Sequence, residues 1–258
     1  NKRQINQVFC NYEYMKLFYS EEMIGYALKQ NQKRYVKVYK GKYFKKDGPI
    51  VRLKNKIIVF DLDETLGQFT ELHIIYKCLI KVLDRELTQN EFNNLLDLYP
   101  EFLRPGIITI LDFLYYKKQN GVFSRLFLYT NNQCSGNWVK FIINYFHLKI
   151  KALNKPLFEE PICAFKIRNK IVNIRRSTQS KNYSDLIQCA MFPPATTEVC
   201  FIDNTYYEHM CDDRVYYILP QSYNHQLTKI DIIKRIEKWS VSDYDKFIDL
   251  LNVSIKDK

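Results

Sequence analysis

Ile57-Ile58-Val59-Phe60-Asp61-Leu62-Asp63-Glu64-Thr65-Leu66-Gly67 is the stretch from which the fold can be read. Its apolar half, Ile57 to Phe60, is β-branched and aromatic, the composition of a strand buried on both faces of a parallel sheet. Where that strand meets solvent, the chain delivers Asp61, Asp63 and Thr65. Carboxylates on either side of Leu62, next to an apolar strand, are costly to bury unless a cation or a reaction requires them. Phosphoryl transfer requires such a set: a carboxylate nucleophile, an adjacent acid/base and a divalent metal. The bland alternative is an acidic strand-to-helix turn in which Asp63 only caps.

Outward from this stretch, the same pattern recurs. Leu126-Phe127-Leu128-Tyr129 predicts a second buried strand ending at Thr130-Asn131-Asn132. Val199 to Ile202 predicts a third, ending at Asp203-Asn204, and Val215 to Leu219 a fourth. Helical spacing fills the intervals. Leu72, Ile75, Leu79 and Val82-Leu83 lie on one stripe, and Thr88 with Glu91 forms a capping box. Ile107 to Lys118 follows Arg104-Pro105-Gly106 and ends at Asn120-Gly121. Trp138, Phe141-Ile142 and Tyr145 form another stripe, and Ser180 to Cys189 and segments at about 228–238 and 242–251 complete the helices. A hairpin of Ile162–Phe165 and Lys170–Arg175 is expected over Arg168-Asn169. Strands alternating with helices predict an α/β fold with a parallel sheet and helices on both faces. Such sheets bind ligands at the carboxyl ends of their strands, where Asp61, Thr130 and Asp203 all fall.

The organisation expected is an N-terminal appendage over 1–50 and one α/β domain over 51–258, with a helical insertion at 68–101. In the appendage, 21–30 reads as a helix and 34–39 as a strand. Tyr, Lys and Arg interleave over 34–46, a composition that suits either a solvated edge strand or contact with nucleic acid.

Of the 258 residues, 47% are hydrophobic and 26% charged, which excludes a disordered chain. No run approaches the roughly 18–20 apolar residues of a membrane span, and no secretory signal is expected after Asn1-Lys2-Arg3-Gln4. The seven cysteines include no CxxC pair, which argues against a disulfide or zinc framework and for a reducing compartment, nucleus or cytoplasm. The net charge of +11 favours polyanionic partners, though AT-rich coding would also enrich Lys, Asn, Ile and Tyr. The four histidines fall in no motif. Arg168 and Arg175-Arg176 could contact phosphate or substrate, but are read first as surface charges of the hairpin.

Four segments together resemble the motifs of the haloacid dehalogenase (HAD) superfamily: Asp61-Leu62-Asp63-Glu64-Thr65-Leu66, Leu128-Tyr129-Thr130-Asn131, Lys181-Asn182-Tyr183-Ser184-Asp185-Leu186 and Phe201-Ile202-Asp203-Asn204-Thr205. More narrowly they are similar to the RNA polymerase II carboxy-terminal-domain phosphatase-like family, whose DLDETL stands at 61–66. The family's KDLSxL is matched at 181–186 with Asn182 and Tyr183 changed, its Asp-Asn-Ser-Pro continues here as Thr205-Tyr206, and the usual small residues after Thr130 are Asn131 and Asn132. The resemblance covers roughly 55–240, and the insertion at 68–101 departs from it.

It implies a HAD-type Rossmann-like sheet and a Mg²⁺-dependent phosphatase. Asp61 would be the nucleophile and Asp63 the acid/base, its pKa raised by the crowding of Asp61 and Asp203. Thr130 and Lys181 would hold the phosphoryl group; Lys181 is preferred over Lys140, Lys155, Lys166 and Lys170 because Ser184 and Leu186 follow it. The metal would sit on Asp61, the Asp63 carbonyl and Asn204, with Asp203 behind. Thr65 and Asn131 are expected to bind substrate. The implied substrate is a phosphorylated protein such as the polymerase tail, with the insertion as a partial wall beside the site. A polynucleotide phosphatase and a catalytically silent binding module on the same fold are the rival readings.

Overall fold

The computed structural model describes residues 37–39, 55–134, 136–152, 155–239 and 243–255. The strands are β1 (Lys37–Tyr39), β2 (Asn55–Phe60), β3 (Arg125–Leu128), β4 (Lys166–Ile167), β5 (Lys170–Ile171), β6 (Thr197–Ile202) and β7 (Val215–Leu219). The helices are α1 (Phe69–Leu83), α2 (Gln89–Leu98), α3 (Ile107–Gln119), α4 (Gly136–Lys149), α5 (Tyr183–Ala190), α6 (Lys229–Ile236) and α7 (Tyr244–Ser254).

The main sheet has the order β1-β7-β6-β2-β3. Four strands are parallel: β2 pairs with β3 and β6, and β6 with β7. β1 adds antiparallel to β7. Three residues of the expected appendage thus belong to this sheet; the expected helix at 21–30 and most of 34–46 lie outside the described residues.

Side chains alternate faces along a strand, and the sheet's two faces feed two cores. Ile57 and Val59 of β2 join Phe127, Val199, Phe201, Val215 and Tyr217, covered by Leu186 and Ile187 of α5. Ile58 and Phe60 face the other way, into a larger cluster with Leu111, Trp138, Ile142 and Phe146. The fold is α/β, a four-stranded parallel sheet flanked by helices, compatible with a Rossmann-like arrangement.

The insertion belongs to the larger core. α1 buries Leu72, Ile75, Tyr76 and Leu79, and α2 buries Phe92, Leu95 and Leu96. The ring of Trp138 from α4 lies 5.2 Å from Tyr76 and 5.5 Å from Phe92. The expected capping box at Thr88 and Glu91 is formed, with both reciprocal bonds present.

Two boundaries differ from expectation for identifiable reasons. The hairpin closes over Arg168 and Asn169 as expected, at φ 48° and 63°, but its first strand is β4, which begins directly after Ile162–Phe165. Ile162 is instead paired along the open edge of β3, donating to Leu128 O at 2.8 Å and accepting from Thr130 N at 3.0 Å. α5 starts at Tyr183 and not Ser180 because Asn182 caps it, Oδ1 accepting from Asp185 N at 2.7 Å. Cys78, Cys134, Cys163, Cys189, Cys200 and Cys211 are free thiols. Among the described residues no helix is long and apolar enough to cross a membrane.

Candidate functional site

The ladder hydrogen bonds run one residue past the strands and fix what stands at their carboxyl edge. Asp61 N donates to Ile202 O (2.8 Å), Tyr129 N to Phe60 O (2.8 Å) and Asp203 N to Ile218 O (3.2 Å). Asp61, Thr130 and Asp203 therefore sit side by side, 7%, 1% and 1% exposed. Lys181, just before the cap of α5, brings its ammonium between them. Its Nζ donates to Asp61 Oδ1 and, at 2.7 Å, to Asp203 Oδ2. Lys181 is itself 1% exposed and walled by the rings of Tyr129, Phe201 and Tyr207.

Burial works to lower the pKa of Lys181, but the charges of Asp61 and Asp203 outweigh it and hold the ammonium above its ordinary value. Burial pushes Asp203 up, and the adjacent Lys181 opposes that shift. Formally the buried set holds one ammonium against two carboxyl groups. Lone buried charges are expensive, so three charges arranged this way mark a site or a demanding structural knot.

Asp63 is partly exposed, and its Oδ2 accepts from Asn132 Nδ2 at 2.7 Å. Desolvation pushes its pKa up to about 6; the Asn132 bond opposes this and the charge of Asp61 adds to it. Loss of solvent, more than the crowding expected from Asp61 and Asp203, is thus the main cause. Thr130 Oγ1 accepts from Asn132 N at 3.0 Å, so one loop, Thr130 to Asn132, organises both Thr130 and Asp63.

The loop after Asp63 is braced from three directions. Glu64 takes φ 61° and donates its N–H to Gly67 O at 2.8 Å. The Arg104 guanidinium donates to the carbonyls of Thr65 and Glu64 (2.6 Å each) and of Gln221 (2.8 Å). Gly67 approaches the Phe102 carbonyl so closely that a Cβ would lie 2.4 Å from that oxygen. Arg104 therefore fastens the loop that carries the acidic pair.

The two expected substrate contacts have other partners. Thr65 is 2% exposed; its hydroxyl donates to Asn204 Oδ1 (2.8 Å) and accepts from Asn204 N (3.1 Å). That placement makes it a positioning residue for Asn204. Asn131 Oδ1 accepts from Arg176 Nη1 at 2.8 Å.

Arg176 departs from the surface-charge reading. Read as a surface charge, it is 2% exposed, lies over the Tyr129 ring at 4.7 Å, and donates to Cys163 O and Gln179 O at 3.1 and 3.0 Å. No sequence signal separated it from Arg175, which is exposed as expected. Asn132 and Tyr207 were likewise passed over, and both lack a motif of their own.

Among the described residues, no group of three or more His, Cys, Asp or Glu side chains is arranged to hold a metal ion. A cation here would have to draw on mixed oxygen donors: the Asp61 carboxylate, the Asp63 carbonyl and the Asn204 amide, with Asp203 beside them. These are hard oxygen ligands, and their chemistry fits a hard divalent cation that keeps part of its water shell. No protein-family model, curated protein or solved structure matches the chain.

Proposed function

We propose that the chain is a Mg²⁺-dependent phosphomonoester hydrolase of the HAD type, working through an aspartyl phosphate. The observation that carries the reading is Lys181 buried between Asp61 and Asp203 at adjacent strand ends, with Asp63 and Thr130 alongside. In this reading a carboxylate oxygen of Asp61 attacks phosphorus and the P–O bond to the leaving alcohol breaks. Asp63 donates its proton to the departing oxygen, for which a pKa of about 6 suits it. Water then attacks the phosphorus, Asp63 takes a proton from it, and the bond to Asp61 breaks to release phosphate. Thr130 donates its hydroxyl hydrogen to a phosphoryl oxygen, and Lys181 offsets the charge of the phosphoryl group and of Asp61. When bound, Mg²⁺ would neutralise phosphoryl charge, with Asp61, the Asp63 carbonyl and Asn204 as its protein donors.

A protein-borne phosphoserine or phosphothreonine is the substrate class we favour. Support comes from the insertion: α1 and α2 bury their apolar faces in the common core, so their packing is that of core elements and not of a detachable lid. The partners of Asp61, Asp63, Lys181 and Asp203 named above all come from outside 68–101, whereas a partial wall at the site was expected from the sequence.

The test is an aryl-phosphate assay with and without Mg²⁺, extended to phosphoserine peptides and phosphorylated oligonucleotides. Asp61→Asn is expected to lower turnover by roughly 10³-fold or more, about 4 kcal/mol of barrier, with circular dichroism unchanged. Turnover within about tenfold of wild type would remove the covalent mechanism.

A further inference from the structure

The β4–β5 hairpin has a surface that the hydrolytic site leaves unexplained. From Pro161 to Ser184 the chain carries Lys166, Arg168, Lys170, Arg175, Arg176 and Lys181 and no acidic residue. Arg176 and Lys181 are buried at the site, while the other four are exposed. Between those charges, Ile171, Val172 and Ile174 are 56%, 51% and 89% exposed. Single exposed aliphatics are ordinary, but three within 171–174, flanked by one sign of charge, suit an interaction surface.

This surface is fastened to the site. Gln133 Nε2 donates to the carbonyls of Asn131 and Lys166, at 3.1 Å each, tying β4 to the loop that carries Thr130. Lys166 N donates to Gln179 Oε1 at 3.1 Å, and Arg176 anchors the far end of the hairpin on Asn131. A partner lying on the hairpin is therefore held beside Thr130 and Asp61.

The chemistry selects among partners. Exposed Lys and Arg with no acid between them favour an anionic occupant. Bases stack on aromatic rings, and the exposed apolar residues here are aliphatic, which suits apolar peptide side chains instead. We infer that the 166–175 hairpin docks an acidic peptide segment bearing aliphatic side chains, next to the residue presented to Asp61. The placement of that residue rests on the hydrolase reading; the docking itself does not.

The experiment measures fluorescence anisotropy of a labelled peptide with Asp, Glu, Leu and Val around one phosphoserine, and of its unphosphorylated twin. It uses the full chain at about 0.15 M salt. Two double variants probe the surface, Ile171→Ser with Ile174→Ser, and Arg168→Ser with Lys170→Ser. Ile230→Ser with Val253→Ser, on residues 64% and 81% exposed elsewhere, is the control. Each hairpin pair is expected to weaken binding of both peptides about fivefold or more, with the control and the thermal melts unchanged. Unchanged peptide affinity in both hairpin variants would overturn the proposal. So would an oligonucleotide that binds more tightly than the peptide and responds to the Arg168/Lys170 pair but not to the Ile171/Ile174 pair. Hairpin-dependent peptide binding by a chain that hydrolyses no phosphomonoester would overturn the hydrolase reading and leave the docking surface standing.

Discussion

Glu64 stands at φ 61°, a left-handed conformation that costs a non-glycine residue about 1–3 kcal/mol. Its surroundings over-determine it. Its carbonyl accepts from Arg104 Nη2 at 2.6 Å and from Tyr223 N at 2.9 Å, while its own N–H closes on Gly67 O. The turn places Asp63 on one side and Thr65, with Asn204, on the other. Glu64→Gly removes the steric part of that cost and is expected to leave the melting temperature at or slightly above that of wild type. Glu64→Val, β-branched, is expected to destabilise by about 1–3 kcal/mol, read from denaturant midpoints. Equal midpoints for the two variants would mean the loop is not held as described. At this scale the sequence was legible where chemistry and position coincide. Asp61 and Asp203 end apolar strands, so burial and charge conflict visibly at those positions. Arg176 was not legible, because a guanidinium in a basic, polar stretch looks solvated. Its burial depends on carbonyls and a ring from Tyr129, Asn131 and Cys163, which no local pattern encodes.

Among the elements, α2 shows how a local signal survives folding intact. Thr88 Oγ1 accepts from Glu91 N, and Glu91 Oε2 accepts from Thr88 N at 2.8 Å. Arg85 adds a two-pronged contact to the Glu91 carboxylate at 2.9 and 2.6 Å. The Arg85 bonds first, and the Thr88 backbone bond next, lower the pKa of Glu91 from 4.5 to about 2. The sign follows directly. A carboxyl with a depressed folded pKa contributes stability above its ordinary value and loses it as pH falls from about 4.5 towards 2. Glu91→Gln is therefore expected to cost about 1 kcal/mol at pH 7, the scale of a helix cap, and to match wild type near the acid end of that window. A stability difference that stays constant from neutral to acid pH would rule out the ionised cap. The capping box was readable because its partners lie three residues apart. The hairpin turn at Arg168-Asn169 was readable too, but the extent of its first strand was not, since Ile162 pairs with the open edge of β3 and leaves β4 to begin at Lys166.

For the whole molecule, the instructive case is the insertion. The period of α1 announces an apolar face, but a period cannot say what covers that face, and a partial wall beside the site was the expectation. In the structure α1 packs against α7, whose Phe247 and Leu251 are fully buried in the same core as Trp138 and Tyr76. The C-terminal helix thereby supports the helix that leads directly out of the Asp61–Gly67 loop. Removing the ring of Phe247 should leave a cavity and cost about 3–5 kcal/mol. That is a large share of the roughly 5–15 kcal/mol that holds a typical domain. Phe247→Ala is thus expected to shift the denaturant midpoint strongly, whereas Val253→Ala on the same helix, 81% exposed, should not. The consequence reaches the site, because a loosened α1 loses its support beside Gly67, where a clearance too small for a Cβ fixes the loop against Phe102. Under the hydrolase proposal, aryl-phosphate turnover by Phe247→Ala should accordingly fall at temperatures below its own melt, while Val253→Ala keeps wild-type turnover. If Phe247→Ala melted with wild type, α7 would be a peripheral tail and the insertion would be free to act as the wall first expected.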